Sequence, residues 1–431
     1  MANEGKSLLI KITQDELNAV ARKHMMFRSG RVGGTRAMLA RHDLSALTLQ
    51  NYDFSHADMT GVSLNGANAR GAMFDFCNFF GADMRNCNLQ GASLVRADLR
   101  GACLRGASLV GANMMGVDLR EGLLAATEPN GSIVPLHKDW PNSESGGADL
   151  SGANLSDARL SGAVAVGTNF SDATMCSCKI IRANLAGSNF SGTNLEGADL
   201  SQCDLKGVNM RGALLANAAL NIASMEQASL AGAMTNLPAG PTARDLPEPL
   251  DELLRRHAAW VVSEGALGAQ LDISGHDMRG TRVFAYAQLT LLIAEKAVLY
   301  GLNLAETQMQ AATLRGADMR HVSAPKADFR GADMVGADLT KADLQEARFE
   351  PLISPQGKTL FSNLSNAKLR YADLSGASLR QTKLDNTDLS YANLLGADLT
   401  GVDLTNTHLT GAHLNESQQA LVDRALVDKA K

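Results

Sequence analysis

Residues 92–111 read ASLVR-ADLRG-ACLRG-ASLVG, which is four successive units of five residues. Each unit has a leucine at its centre and an alanine two positions earlier, and glycine ends three of the four. A period of five matches neither the 3.6 residues of a helical turn nor the two-residue alternation of a strand. The pattern therefore predicts a chain that turns within every unit. The central residue and the small residue point inward, and the other three face water.

The same five-residue register extends over most of the 431-residue chain. More than fifty units carry a large apolar centre, with a small residue at only a few centres and a one-residue slip before Leu289. The centres run from Leu44 to Leu119, from Leu150 to Leu230, from Ile273 to Phe349 and from Leu364 to Leu414.

These units resemble the repeat of the pentapeptide-repeat family. The resemblance is carried by segments such as 97–101 (ADLRG), 153–156 (ANLS), 198–201 (ADLS) and 397–401 (ADLTG), and it covers roughly residues 42–237 and 270–415. It implies an all-β solenoid, a right-handed quadrilateral β-helix with four pentapeptides per coil. Residues twenty apart should then stack, so we expect Phe54 to lie on Phe74. The acidic row Asp58, Asn78, Asp98 and Asp118 should be offset by Arg100 and Arg120.

Breaks in the register divide the chain into two solenoids that each follow a short capping helix. Thr13 to Glu16 forms a capping box for the first helix, whose apolar face should be Leu17, Val20, Ala21, His24 and Phe27. Residues 250–262 repeat the helical spacing. The predicted parts are a helical cap (1–41), a first solenoid (42–237, insertion 120–148), a Pro-rich linker (238–249), a second cap (250–269), a second solenoid (270–415, insertion 350–363) and a C-terminal helix (416–431). The last helix either caps the solenoid or forms a dimer contact.

Histidine and cysteine are the residues in which chemistry would be sought first. His24 and His257 hold equivalent places in the two helices, and we expect each to be a half-buried cap residue with one hydrogen bond rather than a site. Cys77, Cys87, Cys178 and Cys203 fall in the small inward position and should be buried. Cys103 and Cys176 fall in outward positions.

No nucleotide-binding, metalloprotease or serine-hydrolase motif occurs in the sequence. We therefore expect no enzyme activity, no cofactor and no metal. No apolar run is long enough to span a membrane, and the cysteine pattern is not a disulfide framework, so a reduced cytoplasmic setting is expected. The basic N-terminal arm, net +5 over residues 1–42, is interpreted as a solvated surface, with contact to nucleic acid or acidic lipid as the alternative.

The leading hypothesis is a scaffold that presents flat faces and loops to a protein partner. Candidate contacts are Trp140 and His137 in the first insertion, and Trp260; the alternative for Trp140 is packing of its loop on the coil wall. A homodimer is a further hypothesis, and direct nucleic-acid binding is not expected. The resemblance also suggests an alternative function, because some family members imitate DNA and protect DNA gyrase. The modest net charge of −6 over residues 43–230 argues against that alternative. A host-directed effector or surface protein is the third class of function considered.

Overall fold

The computed structural model describes residues 9–120, 124–127, 133–136, 147–220, 225–354 and 357–429. They form two compact units, Met1–Leu237 and Pro238–Lys431. The helices are α1 (Gln14–Arg28), α2 (Leu250–Val262) and α3 (Glu416–Lys429). The short strands are β1 (Ile10–Lys11), β2 (His42–Asp43), β3 (Leu124–Thr127), β4 (Ile133–Leu136), β5 (Asp199–Leu200), β6 (Ala219–Leu220), β7 (Leu352–Ile353) and β8 (Thr359–Leu360).

Parallel β-bridges between residues twenty apart define the coils. Asp58 pairs with Asn78, Asn78 with Asp98 and Asp98 with Asp118. One coil therefore contains four five-residue units, and the predicted acidic row is confirmed. The spacing grows where the register breaks, as in Asp118–Arg159 at the first insertion, Asp333–Asn363 at the second, and Asp277–Val298 at the one-residue slip. Each insertion contains an antiparallel hairpin, β3 with β4 and β7 with β8.

Large and small inward side chains alternate to fill each coil. Phe54 lies on Phe74 with ring centroids 6.3 Å apart and planes 6° from parallel, which confirms the predicted stack. Phe170 stacks on Phe190 at 4.8 Å in the same way. Burial of each such side chain stabilises the fold by about 1.5–3 kcal/mol, so the sum over coils holds each unit together.

The small inward position also carries hydrogen bonds between coils. The Cys77 thiol donates to the Phe54 carbonyl at 2.9 Å, and the Thr193 hydroxyl donates to the Phe170 carbonyl at 2.6 Å, in each case 23 residues back. This satisfies a polar group in an otherwise apolar interior. The four predicted inward cysteines are buried. Burial raises the pKa of Cys77 to about 12, so its thiol stays protonated and unreactive at neutral pH.

The corner of each unit lies two residues after its centre and requires a left-handed backbone. Gly61 has φ 62° and Phe76 has φ 58°. Glycine adopts this conformation freely, whereas a residue with a Cβ atom is strained there by about 1–2 kcal/mol. This preference explains why the repeat so often ends in glycine.

Helix α1 covers the open end of the first coil. Thr13 and Glu16 form the predicted capping box. The Gln14 side-chain amide donates to the Thr48 carbonyl and accepts from the Thr48 N–H, both at 2.9 Å. His24 accepts from the Ala37 N–H at 3.0 Å, and its Nε2 lies 3.0 Å from the Ser55 carbonyl. The helix thus supplies partners to an edge that has no preceding coil.

Two expectations about α1 were wrong. His24 is fully buried and has two hydrogen-bond partners rather than one, because the ring is sandwiched between the helix and the first coil. Phe27, expected on the apolar face, is 45% exposed because it lies in the last turn, at the rim of the contact.

Helix α2 sits on the second solenoid in the same manner. His257 accepts from the Leu271 N–H at 3.0 Å. The expectation that it would be half-buried was wrong, because the helix packs its ring fully into the contact. The segment expected to be a linker also takes part in the fold of this unit, since Thr242 forms a parallel bridge with Asp277. The Asp277 N–H donates to the Pro241 carbonyl at 2.6 Å. This bridge is the counterpart of the β1–β2 pair in the first unit.

Helix α3 closes the far end of the second unit. The Gln418 side-chain amide donates to the Leu394 carbonyl at 2.7 Å and to the Ala397 carbonyl at 2.8 Å. Val422 packs against the core of the same unit. The helix therefore satisfies carbonyls that no further coil can reach.

Candidate functional site

A basic cleft opens on the surface of the first unit. Its volume is about 680 Å³. Five cationic side chains line it, together with one hydroxyl and one glycine: Arg100, Arg120, Arg159, Lys179, Arg182, Ser161 and Gly162. These five residues are among only twelve lysines and arginines between residues 43 and 230. The cleft thus gathers much of the positive charge of the first solenoid.

The repeat register brings these residues together from distant parts of the chain. Arg159 and Lys179 hold the position before the centre in two successive coils, where they continue the row of Asp98 and Asp118. Arg100 and Arg120 follow the centres of the two preceding coils. The first insertion lies between Arg120 and Arg159, so their proximity depends on the coil resuming in phase after it.

Two of the five cations are already paired. Arg100 lies 2.6 Å from the Asp98 carboxylate and Arg120 lies 2.7 Å from that of Asp118, which confirms the predicted offset of the acidic row. Burial alone would raise the pKa of Asp118, but the hydrogen bonds and charge of Arg120 outweigh it and lower that pKa. The side chains of both arginines remain more than 40% exposed, so they can still meet a ligand.

The other three cations form no close ion pair with a described residue. Arg159, Lys179 and Arg182 are exposed, and none has a carboxylate within 4 Å among the residues that the structure describes. The row becomes acidic again at Asp199, which pairs with Lys179 through the ladder. Bonds from Ser201 and, less strongly, the charge of Lys179 lower the pKa of Asp199. The positive region is therefore bounded by Asp98 and Asp118 on one side and by Asp199 on the other.

Of the three predicted contact residues, the structure describes only Trp260. Trp140 and His137 fall outside the described residues. Trp260 belongs to α2 in the second unit, where its ring is half-buried and stacks on His257 with centroids 5.9 Å apart. Sequence reasoning missed the basic cleft. Carrying the register across the first insertion would have placed Arg159 and Lys179 in the row of Asp118.

The chemistry available in the cleft is recognition of anions. Guanidinium groups bind carboxylate or phosphate oxygens through paired N–H donors. Within the described ranges, no cluster of three or more histidine, cysteine or acidic side chains could hold a metal ion. The same part of the chain contains no helix that is long and apolar enough to cross a bilayer.

Comparison with protein families gives one match. A family model for pentapeptide repeats matches eight copies in segments that together cover more than half of the chain: 49–86, 82–120, 146–180, 178–217, 312–350, 362–401 and 377–416. No curated protein sequence matches the chain.

Several solved structures are similar to parts of the chain or to most of it. Trypsin-treated QnrB1, a plasmid-mediated fluoroquinolone resistance protein, is 21% identical and aligns over 47% of this chain and 87% of its own, with a TM-score of 0.26. HetL, a pentapeptide-repeat protein involved in heterocyst differentiation regulation in Nostoc, is 21% identical over 93% of this chain and 94% of its own, with a TM-score of 0.13. The Nostoc pentapeptide-repeat protein alr5209 is 31% identical over 26% of this chain and 84% of its own, with a TM-score of 0.15. Scores this low support no argument about overall shape.

Proposed function

Because the chain belongs to the pentapeptide-repeat family, we propose that each unit is a right-handed, four-sided β-helix that serves, without catalysis, as a rigid scaffold for a protein partner. The observation that carries this proposal is the ladder of twenty-residue bridges, which repeats the same outward rows from coil to coil. Such rows form regular, stiff faces on which side chains keep fixed positions. Rigid surfaces bind partners with little loss of conformational entropy.

The interior supports a scaffold over an enzyme. The centres of successive coils are buried side chains such as Leu89, Leu109 and Leu150, which leave no room for a substrate inside the coil. Substrate sites are concave and partly empty. The thiols of Cys77, Cys178 and Cys203 donate hydrogen bonds to backbone carbonyls. Burial raises the pKa values of all four inward cysteines, so they are poor nucleophiles. The cysteines are free, in keeping with the cytoplasmic setting that we propose.

The same rows argue against a DNA-mimic that binds gyrase. Imitation of a phosphate backbone requires a continuous line of negative charge. Here Asp98 and Asp118 are each neutralised by an arginine, and the row then becomes positive at Arg159 and Lys179. We expect micromolar protein to leave gyrase supercoiling unchanged, and inhibition or protection in that assay would favour the DNA-mimic instead.

Chemical cross-linking of the full chain in the cells that express it tests the scaffold. We expect one protein to be enriched over a control bait of the same size and charge, and to bind again when both proteins are purified and mixed in a calorimeter. The proposal fails if no protein is enriched, or if the enriched protein shows no binding after purification.

A further inference from the structure

We propose that the basic cleft of the first unit binds a short acidic stretch of polypeptide, four to six residues rich in aspartate and glutamate. This inference rests on the proposed scaffold function and names the chemistry of the partner. It is carried by Arg159, Lys179 and Arg182, which form no ion pair with a described carboxylate and line one cavity together with Arg100 and Arg120.

The size of the charged region matches a short extended segment. The cations come from four successive coils, those of Arg100, Arg120, Arg159 and Lys179. Coils spaced as neighbouring β-strands place the first and last of them ~14 Å apart. An extended chain covers that distance with about four residues. Arg159, Lys179 and Arg182 can then meet two or three carboxylates, and the part-exposed side chains of Arg100 and Arg120 can make further contacts.

The two ends of the region disfavour a longer polyanion. A nucleic-acid backbone that followed the row would leave the cleft over Asp98 on one side or Asp199 on the other, and both carboxylates would repel its phosphates. None of the lining residues is aromatic, whereas single-stranded nucleic acid is usually held by stacking of bases on aromatic rings. A peptide can place acidic side chains over the cations and neutral ones over the carboxylates.

The lining groups also suit carboxylates in their geometry. Arg159 and Arg182 offer planar pairs of N–H donors that match the two oxygens of a carboxylate. The Ser161 side chain adds a hydroxyl near the Lys179 backbone, where its Oγ lies 3.4 Å from the carbonyl. Because Arg159, Lys179 and Arg182 are exposed, the attraction should be screened by salt.

Fluorescence anisotropy with labelled ten-residue peptides tests the inference on the full chain. The probe carries six aspartates and glutamates in a glycine-serine background, and a neutral glycine-serine peptide is its control. We expect saturable binding of the acidic probe at low salt, at least tenfold weaker affinity in the triple variant Arg159→Ala/Lys179→Ala/Arg182→Ala, and a marked loss of affinity at 0.5 M salt.

A matched variant separates the cleft from overall charge. Arg70→Ala/Lys206→Ala/Arg211→Ala removes the same charge from exposed positions outside the cleft. It should bind the acidic probe within twofold of the unchanged chain. Equal loss of affinity in the two triple variants would overturn the inference, as would no binding by the unchanged chain.

Two further probes define the ligand class. A ten-nucleotide single strand or inorganic tripolyphosphate that bound more tightly than the acidic peptide, and lost affinity in the cleft variant, would overturn the assignment to protein. The captured partner could bind the cleft variant with the same affinity as the unchanged chain. That result would support the scaffold function and reject the cleft as its binding site. Failure to capture any partner would instead reject the scaffold.

Discussion

Both units begin with a capping helix that packs on the first coil, but the contacts that hold the helix differ. In the first, a strand before the helix pairs with the coil, α1 carries a capping box, and His24 has a hydrogen-bond partner for each ring nitrogen. In the second, a proline-rich segment makes the bridge, and α2 begins after Pro249 with no side-chain cap. His257 accepts one hydrogen bond, and within the described residues its Nε2 makes none.

This difference shows which contacts of the capping helix the fold requires. Both histidines are fully buried. Each accepts a hydrogen bond from a backbone N–H that lies 13 or 14 residues further along the chain, where the first coil begins. The helix cap and the second ring bond differ between the units, so they contribute stability to one unit without being needed to form the other. No described group forms a hydrogen bond with the His257 Nε2, although burial lowers the pKa of His257 and the backbone of Thr290 still opposes that lowering. A weaker interaction at this nitrogen should make the second cap the weaker of the two.

The largest expected effect tests whether the units are independent. Phe54→Ala should lower the free energy of unfolding of the first unit by about 3–5 kcal/mol, because it removes a ring stacked between His24 and Phe74. Phe329→Ala should do the same to the second unit, where the ring stacks on Phe349. Urea unfolding followed by tryptophan fluorescence measures both.

Each unit contains one tryptophan, Trp140 or Trp260, so Trp260→Phe and Trp140→Phe backgrounds report the units separately. Phe76→Ala, at a corner where the ring is 46% exposed, is the control and should cost less than about 1 kcal/mol. If either core substitution shifted the unfolding transitions seen by both tryptophans, the two units would not unfold independently.

An intermediate effect distinguishes the units by their response to acid. Burial lowers the pKa of His321 to about 3, with further lowering by Lys341 and Arg320 and opposition from Asp338. The unfolded chain then binds a proton that the folded unit does not, so stability falls as the pH falls below the ordinary histidine value. The second unit should lose about 2 kcal/mol on this account between pH 6.5 and 4.5.

The measurement is urea unfolding at several pH values with Trp260 as the reporter. His321→Asn should remove most of this acid sensitivity. The first unit should lose less, since among its described residues the one histidine with a lowered pKa is His24. A second unit that stayed equally stable at both pH values would refute the assignment to His321.

The smallest effect concerns the two caps themselves. His24→Ala should destabilise the first unit by about 1 kcal/mol more than His257→Ala destabilises the second, because it strands one additional backbone partner. Removal of His24 leaves the Ser55 carbonyl and the Ala37 N–H without their partner, whereas removal of His257 deprives only the Leu271 N–H of its hydrogen-bond acceptor. Paired unfolding curves at pH 8 measure the difference. Equal costs would mean that ring packing, not hydrogen bonding, sets the strength of the cap.

The sequence by itself determined every feature that repeats. A period of five with one large and one small inward residue predicted the buried cysteines. The resemblance to the pentapeptide-repeat family added four units per coil, and the Phe54–Phe74 stack and the Asp–Arg offset followed from that number. The capping box of α1 was equally readable, because it depends on residues three positions apart. Because the units repeat at a fixed spacing, a contact between residues twenty apart can be predicted as readily as one between near neighbours.

Only the tertiary structure decided what happens where the pattern breaks. The pairing of Thr242 with Asp277, the complete burial of His24 and the closure of the last coil by Gln418 join segments whose spacing follows no period. The basic cleft depends on the same kind of junction, because Arg120 and Arg159 meet only if the coil resumes in phase after the first insertion. A repeat specifies the contacts between equivalent positions, but an interruption is resolved by whichever groups can satisfy an open edge, and that depends on packing in three dimensions.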